Sequence, residues 1–210
     1  MDNNMKSILK IHAEQTKKNL EDRQFECTIV EDEKEALELI KSMVKVNDVV
    51  SVGGSQTLFE TGVIEWLENN QDITYLDRYH AEDPHQVFHS AFNADVYLTS
   101  TNALTMDGKL VNVDGNGNRV AAMIYGPKKV IVLTGINKLV KDEAAAVERI
   151  KTIAAPINCV RLNKQTPCTK TGHCMDCLSA SRICASSVTQ TRSQTKGRIH
   201  VILMMQEAGY

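Results

Sequence analysis

The stretch DVVSVGGSQTLFETGVIEWLEN, residues 48–69, decides the fold. Val49, Val50 and Val52 make Asp48–Val52 a short β-branched run, the pattern of a strand buried on both faces. Gly53–Gly54 turn the chain, and a helix is expected from about Thr57 to Glu68. Strand, glycine turn and helix make half of a βαβ unit, and the same alternation continues in both directions. Upstream, Met5, Ile8, Leu9 and Ile11 mark a half-packed N-terminal helix within residues 1–22. Phe25–Val30 follows as a strand, and Ala36, Leu37, Leu39, Ile40 and Met43 form the apolar stripe of a helix over Glu33–Val44.

Downstream, Ile73–Leu76, Asp95–Thr99, Lys129–Thr134 and Ile199–Met204 are expected strands, and Asn158–Leu162 a further one closing the sheet. Asp83 is placed to cap a helix whose first residue is Pro84. Helices are expected at about Arg119–Tyr125 and Glu143–Ala154, and Met106–Lys109 (MDGK) as a hairpin turn. The fold class is therefore α/β, a mostly parallel sheet flanked by helices. With 210 residues, the chain is read as one domain, 1–210, carrying a cysteine-rich segment over 164–190.

Composition narrows the function. Twenty-four basic against 26 acidic residues give a net charge of −2, which offers no field for nucleic acid. Aromatics at 5% are too few for base-stacking platforms. No apolar run approaches the roughly 20 residues of a membrane span, so no membrane insertion is expected. The first residues lack an apolar signal core, and the expected location is the cytoplasm.

Two glycine turns are the candidate ligand sites. In Gly53, Gly54, Ser55, Gln56 and Thr57 the glycines let backbone amides approach an anion, and Ser55 or Thr57 is placed to cap the helix or hold a phosphate. An ordinary βα turn reads the same way, and neither a dinucleotide fingerprint nor a P-loop is present. The second turn, Asp114, Gly115, Asn116, Gly117 and Asn118, is dense in residues that tolerate left-handed backbone, and Asn116 or Asn118 is placed to cap the next helix. Ser100, Thr101 and Asn102 end a strand near both. In an open α/β sheet all three segments face the crevice at the strand carboxyl ends. The expected ligand is a small anionic metabolite.

Other chemistry-bearing residues are less specific. His85 and His89 share a helix face but lack a third ligand, and His80 lies near Asp83. Glu60 and Glu65 follow the first turn, as general-base candidates or as solvated carboxylates. No nucleophile motif is readable.

The last feature is PCTKTGHCMDCLSASRICASS, residues 167–187, with Cys168, Cys174, Cys177 and Cys184 spaced C-x5-C-x2-C-x6-C. Four clustered thiols in a reducing compartment point to metal or redox chemistry. A 4Fe-4S cluster suits the uneven spacing and all-thiolate donors. Zinc is the alternative, with His173 available as a substitute ligand, and a Cys174–Cys177 dithiol switch a third reading. Cys27 and Cys159 sit in apolar stretches and read as packing residues.

Residues 48–67, the run ADVYLTSTNALTMDGKLVNVDGNGNRVAAMIYGPKKVIVLTGINKLV (94–140) and the cysteine segment together resemble the LUD-domain (lactate utilisation) proteins. The resemblance covers most of residues 5–205, and the middle run is its most specific part. It implies a fold related to the NagB/RpiA/CoA-transferase superfamily, whose members bind sugar phosphates, CoA thioesters or folates at strand carboxyl ends. Some such proteins are similar to a component of a bacterial system that oxidises L-lactate to pyruvate with iron–sulfur subunits. The implied role is an accessory or electron-transfer component, an oxidoreductase part, with iron–sulfur partner proteins and a homodimer as the expected assemblies. The glycine turns and the four cysteines are carried over as site positions, and no catalytic residue is. Two other classes fit the same residues: a transferase or isomerase with structural zinc, and a non-catalytic metabolite-binding regulatory module.

Overall fold

The structure is a computed structural model and describes residues 2–210. Helix α1 (Asn3–Asp22) leads into β1 (Glu26–Val30), α2 (Glu33–Met43), β2 (Val49–Val52), α3 (Gln56–Glu60), α4 (Val63–Asn69), β3 (Thr74–Leu76) and α5 (Pro84–Ser90). Then come β4 (Val96–Thr99), β5 (Ala103–Thr105), β6 (Leu110–Asp114), α6 (Asn118–Ile124), β7 (Lys129–Gly135) and β8 (Leu139–Val140). The chain continues through α7 (Glu143–Arg149), α8 (Ala155–Arg161), α9 (Cys168–Thr171), β9 (Ser186–Gln190) and β10 (Ile199–Met204).

Six strands form one sheet in the order β1-β10-β7-β4-β2-β3, every neighbouring pair parallel. Its central strands alternate between two cores. On β7, Val130 and Val132 pack towards α1 and α6, while Ile131 and Leu133 pack towards α2 and α4. On β10, Ile199, Val201 and Leu203 take the first side and Ile202 and Met204 the second. Strands buried on both faces need no polar alternation, which is why Val130–Leu133 and Val201–Met204 are continuously apolar. Asp83 caps α5 by accepting from the His85 amide, with Pro84 in the first turn as expected.

The helix expected over Thr57–Glu68 is two short helices, broken at Gly62, whose φ of 71° is left-handed. The expected closing strand Asn158–Leu162 is instead part of α8: burial falls on Ala155, Pro156 and Cys159, at helical spacing. A second, four-stranded sheet in the order β8-β5-β6-β9 stands on the carboxyl ends of the first. Only its β5–β6 hairpin is foreshadowed locally by MDGK. β6 pairs antiparallel with β9, so Asp114 sits opposite Ser186 across more than seventy residues of chain.

One irregularity positions the cysteine segment. Between α7 and α8, Ile150–Ala154 is π-helical, and the Ala155 amide reaches back five residues to the Ile150 carbonyl. Pro156 has no N–H, so neither of its neighbouring helical registers satisfies the Lys151 carbonyl. That free acceptor receives the Cys174 amide at 2.8 Å.

Candidate functional site

A cleft of about 560 Å³ opens over the carboxyl ends of β2 and β4. The chain leaves β2 in one direction, to β3, and leaves β4 in the other, towards β7, so this is the switch point where open α/β sheets bind ligands. The three polar segments singled out in the sequence meet here. Gly54, Ser55 and Gln56 form one side, Ser100, Thr101 and Asn102 another, and Asp114, Gly115, Asn116 and Asn118 a third. Gly53 and Thr57 lie buried behind them. Ser55 caps α3 by accepting from the Leu58 amide at 3.4 Å. The expected asparagine cap of α6 is not formed. Gly117 occupies that position at φ 81°, and Asp114 Oδ1 accepts its amide at 3.0 Å.

Arg119 ties the second and third of these segments together. Its guanidinium donates to the Ser100 and Val113 carbonyls, at 3.1 and 2.8 Å, and to Oδ1 of Asn112 and Asn102, at 2.7 and 3.0 Å. Its Nε stands 3.4 Å from Asp114 Oδ2. Burial opposes its charge and lowers its pKa, and the Asp114 carboxylate supports the charged form. With its terminal nitrogens engaged, Arg119 holds loops and leaves little to offer a ligand. Gly53 makes room for it: a Cβ there would stand 2.6 Å from Thr99 Oγ1 and 2.9 Å from Arg119 Cγ. Gly53→Ala is expected to lower stability by about 1–3 kcal/mol through overpacking. Gly54→Ala, whose Cβ meets only the Arg78 guanidinium at 3.5 Å, is expected to be near neutral. Denaturant unfolding of the two variants checks this, and equal losses would refute it.

Lys138 forms the inner end of the cleft. Strand β7 ends at Gly135, and a 3-10 turn over Ile136–Lys138 swings the lysine inward until it is 3% exposed. Its amine donates to Thr57 Oγ1 at 2.8 Å and Ser100 Oγ at 3.1 Å. Among the described residues no carboxylate pairs with it within 4.0 Å. Burial, assisted by like charge on Arg149 and Arg119, pushes its pKa down to about 7. The C-terminal residues close this end: Thr57 Oγ1 also donates to the Ala208 carbonyl, Gly209 donates its amide to Glu60, and Tyr210 reaches the cleft wall.

Arg78, Arg161 and Lys164 also line the cleft. Arg78 stacks over the Phe88 ring at 4.5 Å and makes no ion pair among the described residues, and Arg161 donates to the Asn158 amide oxygen. The Tyr79 hydroxyl and Asp114 Oδ2 are buried in the cleft wall without hydrogen-bond partners. Among the described residues the one lining side-chain carboxylate, Asp114, is already beside Arg119. A surplus of positive charge therefore faces a polar, partly enclosed space.

The cysteine segment forms the adjoining wall. The Gly115 Cα faces the Ile183 backbone, and the Ala185 amide donates to the Asp114 carbonyl at 2.9 Å. All four window cysteines are free and half-buried. Arg182 gathers the segment by donating to the carbonyls of Cys177 and Cys184, at 2.7 and 2.9 Å. The Asp176 amide points at Cys174 Sγ, 3.4 Å away. Burial raises the Cys184 pKa, Arg182 counters it, and Cys174 and Cys177 are close enough to raise it further. Cys159 is buried as expected, but it is also a neighbour of this group: burial pushes its thiol up to about 11, and the thiols of Cys168 and Cys184 act on it. Among the described residues no three thiols lie within 4.8 Å of one another. The donor set fits an iron–sulfur cluster. His173 Nδ1 stands 3.1 Å from the Thr171 carbonyl.

The remaining candidates stay outside the cleft. His85 and His89 are exposed on α5, and His80 pairs with Asp77 at 2.6 Å. Glu60 anchors Gly209, and Glu65 is solvated on α4. Sequence reading missed Arg78, Arg119, Lys138 and Arg161. A lysine inside the apolar run Lys129–Val140 and an arginine directly after the second glycine turn were the available signals.

A parallel sheet with a cleft at the switch point and a smaller sheet above is an α/β fold, consistent with a NagB/RpiA-like layout. The sequence model of the LUD domain matches residues 13–204, and the chain belongs to that family. The crystal structure of a DUF162 family protein from Deinococcus radiodurans is similar over 93% of this chain and 98% of that one, at 15% identity and a TM-score of 0.54, which shows a shared fold. No curated protein matches the sequence. Among the described residues no helix is long and apolar enough to cross a membrane.

Proposed function

We propose that this LUD-domain protein binds a small anionic metabolite in the switch-point cleft and serves lactate or related organic-acid utilisation as an electron-transfer or accessory component. The carrying observation is the cleft's unpaired positive charge: Arg78, Arg161 and Lys164 line it without carboxylate partners among the described residues. Family membership supports a role related to lactate utilisation. Cys168, Cys174, Cys177 and Cys184 would hold an iron–sulfur cluster, which when bound would supply one-electron transfer beside the ligand. Within the cleft the chain's own residues act by binding and orientation. Arg78 and Arg161 attract the acidic group, Asn102 and Asp114 are locked in place by Arg119, and the C-terminal residues keep water from the inner end.

Calorimetric titration of the wild-type protein with L-lactate, orthophosphate and the neutral sugar glucose tests the binding. The anions are expected to bind and glucose not, and Arg78→Ala is expected to weaken anion binding about tenfold, the loss of one charge-assisted contact of about 1.4 kcal/mol. Absence of anion binding would overturn the reading. Protein purified without oxygen is expected to carry iron and visible charge-transfer absorbance, and metal analysis without iron would remove the redox part.

A further inference from the structure

We infer that Lys138 is a nucleophilic lysine that forms a reversible imine with an anionic carbonyl compound, an aldehyde or 2-oxo acid whose acidic group is held by the free cations of the cleft. The inference rests on the anion-binding reading and names the substrate class of that same site.

Lysines that serve only as structural cations are normally exposed or paired, because an isolated buried ammonium is strongly disfavoured. Lys138 is neither: it is 3% exposed in the cleft lining and lacks a carboxylate partner among the described residues. Its two protein partners, Thr57 Oγ1 and Ser100 Oγ, are hydroxyls placed as acceptors. A neutral amine has two N–H bonds, and these two acceptors use both. What remains on nitrogen is a lone pair on a buried group that lines the cleft. The surroundings hold the amine near half-protonation at neutral pH, so the nucleophilic form is well populated without a separate base.

The step balances without a further reagent. The Nζ lone pair adds to the carbonyl carbon, and the carbonyl π pair moves to oxygen, which is protonated to give a carbinolamine. Nitrogen then loses a proton, the hydroxyl leaves with a proton as water, and a C=N bond remains. Ser100 and Thr57, which are 3.3 Å from each other and both bonded to Nζ, are positioned to relay these protons. An acidic group on the same small molecule would lie towards Arg78 and Arg161 at the open side. Imine formation polarises the adjacent carbon of a 2-oxo acid or aldehyde.

The test uses the full-length wild-type protein with glyoxylate and sodium cyanoborohydride, which reduces an imine to a stable amine. Intact mass is expected to rise by glyoxylic acid less one oxygen, once per chain. Peptide mapping is expected to place the adduct on Lys138 ahead of the exposed lysines, and saturating orthophosphate to suppress it. Lys138→Met is expected to lose that adduct while its unfolding remains cooperative. Adducts scattered over exposed lysines, with Lys138 unmodified in protein that still binds orthophosphate by calorimetry, would overturn the inference and leave anion binding standing. Loss of both orthophosphate binding and the adduct would overturn the two together.

Discussion

Arg119→Ala is expected to lower stability by about 3–5 kcal/mol and to abolish anion binding. The size follows from what the guanidinium leaves behind. Two carbonyls, two amide oxygens and the Asp114 carboxylate face the place it fills, all in or near the cleft floor. Removing one partner of a buried charged network strands the others at their full desolvation cost, which reaches 3–5 kcal/mol for a buried ion pair. Arg119→Lys cannot rescue this, because one ammonium cannot supply a planar fork in four directions. Denaturant unfolding gives the stability change and calorimetry gives the binding. If Arg119→Ala unfolds like the wild type, the segments at 100–102 and 112–114 are held by something else and Arg119 is not the tie between them.

The second large effect concerns pH. Lys138 has its folded pKa depressed to about 7 by burial, with Arg149 and Arg119 adding like charge and Glu60 opposing them weakly. The unfolded chain keeps an ordinary lysine pKa near 10.4. Between about pH 7 and pH 10 the unfolded state therefore binds more protons, and stability contributed by this group rises with pH. Below pH 7 both states are protonated and the burial penalty is constant. At one pKa unit per about 1.4 kcal/mol, the penalty at neutral and lower pH is on the order of a few kcal/mol. Lys138→Met fills the same space without charge. It is expected to be more stable than the wild type by that amount at pH 6, with the difference shrinking towards zero near pH 10. A difference that stayed constant across this range would show that Lys138 carries no unusual proton affinity.

The main sheet was legible because its signals are local. Val49–Val52, Lys129–Thr134 and Ile199–Met204 are apolar on both faces, as strands between two cores must be, and glycine follows β2 where the chain must turn tightly. The small sheet was not, since β6 and β9 find each other across a span that no local pattern encodes. Asn158–Leu162 misled because short apolar runs read equally as strand or helix; the helix extends from α7 and decides the matter. The site divided in the same way. Its loops were visible as glycine, serine and asparagine clusters. Its charges come from the loop after β3, from α6, from the turn after β7 and from α8, four places whose meeting is a property of the topology alone. Cys159 read as packing because its neighbours in sequence are apolar, whereas its neighbours in space are thiols.

The π-helical turn at Ile150–Ala154 has a bearing on how this protein can vary. The acceptor that docks the Cys174 amide is a main-chain carbonyl, exposed because Pro156 has no hydrogen to give. Side chains at position 151 are thus free to drift, since none of them makes the attachment. Position 156 is not, because any other residue restores an amide that competes for the helix register. The address of the cysteine segment on the α/β body is written in the path of the backbone, and a lineage could reshape the segment's surface extensively while a single proline kept it moored beside the cleft.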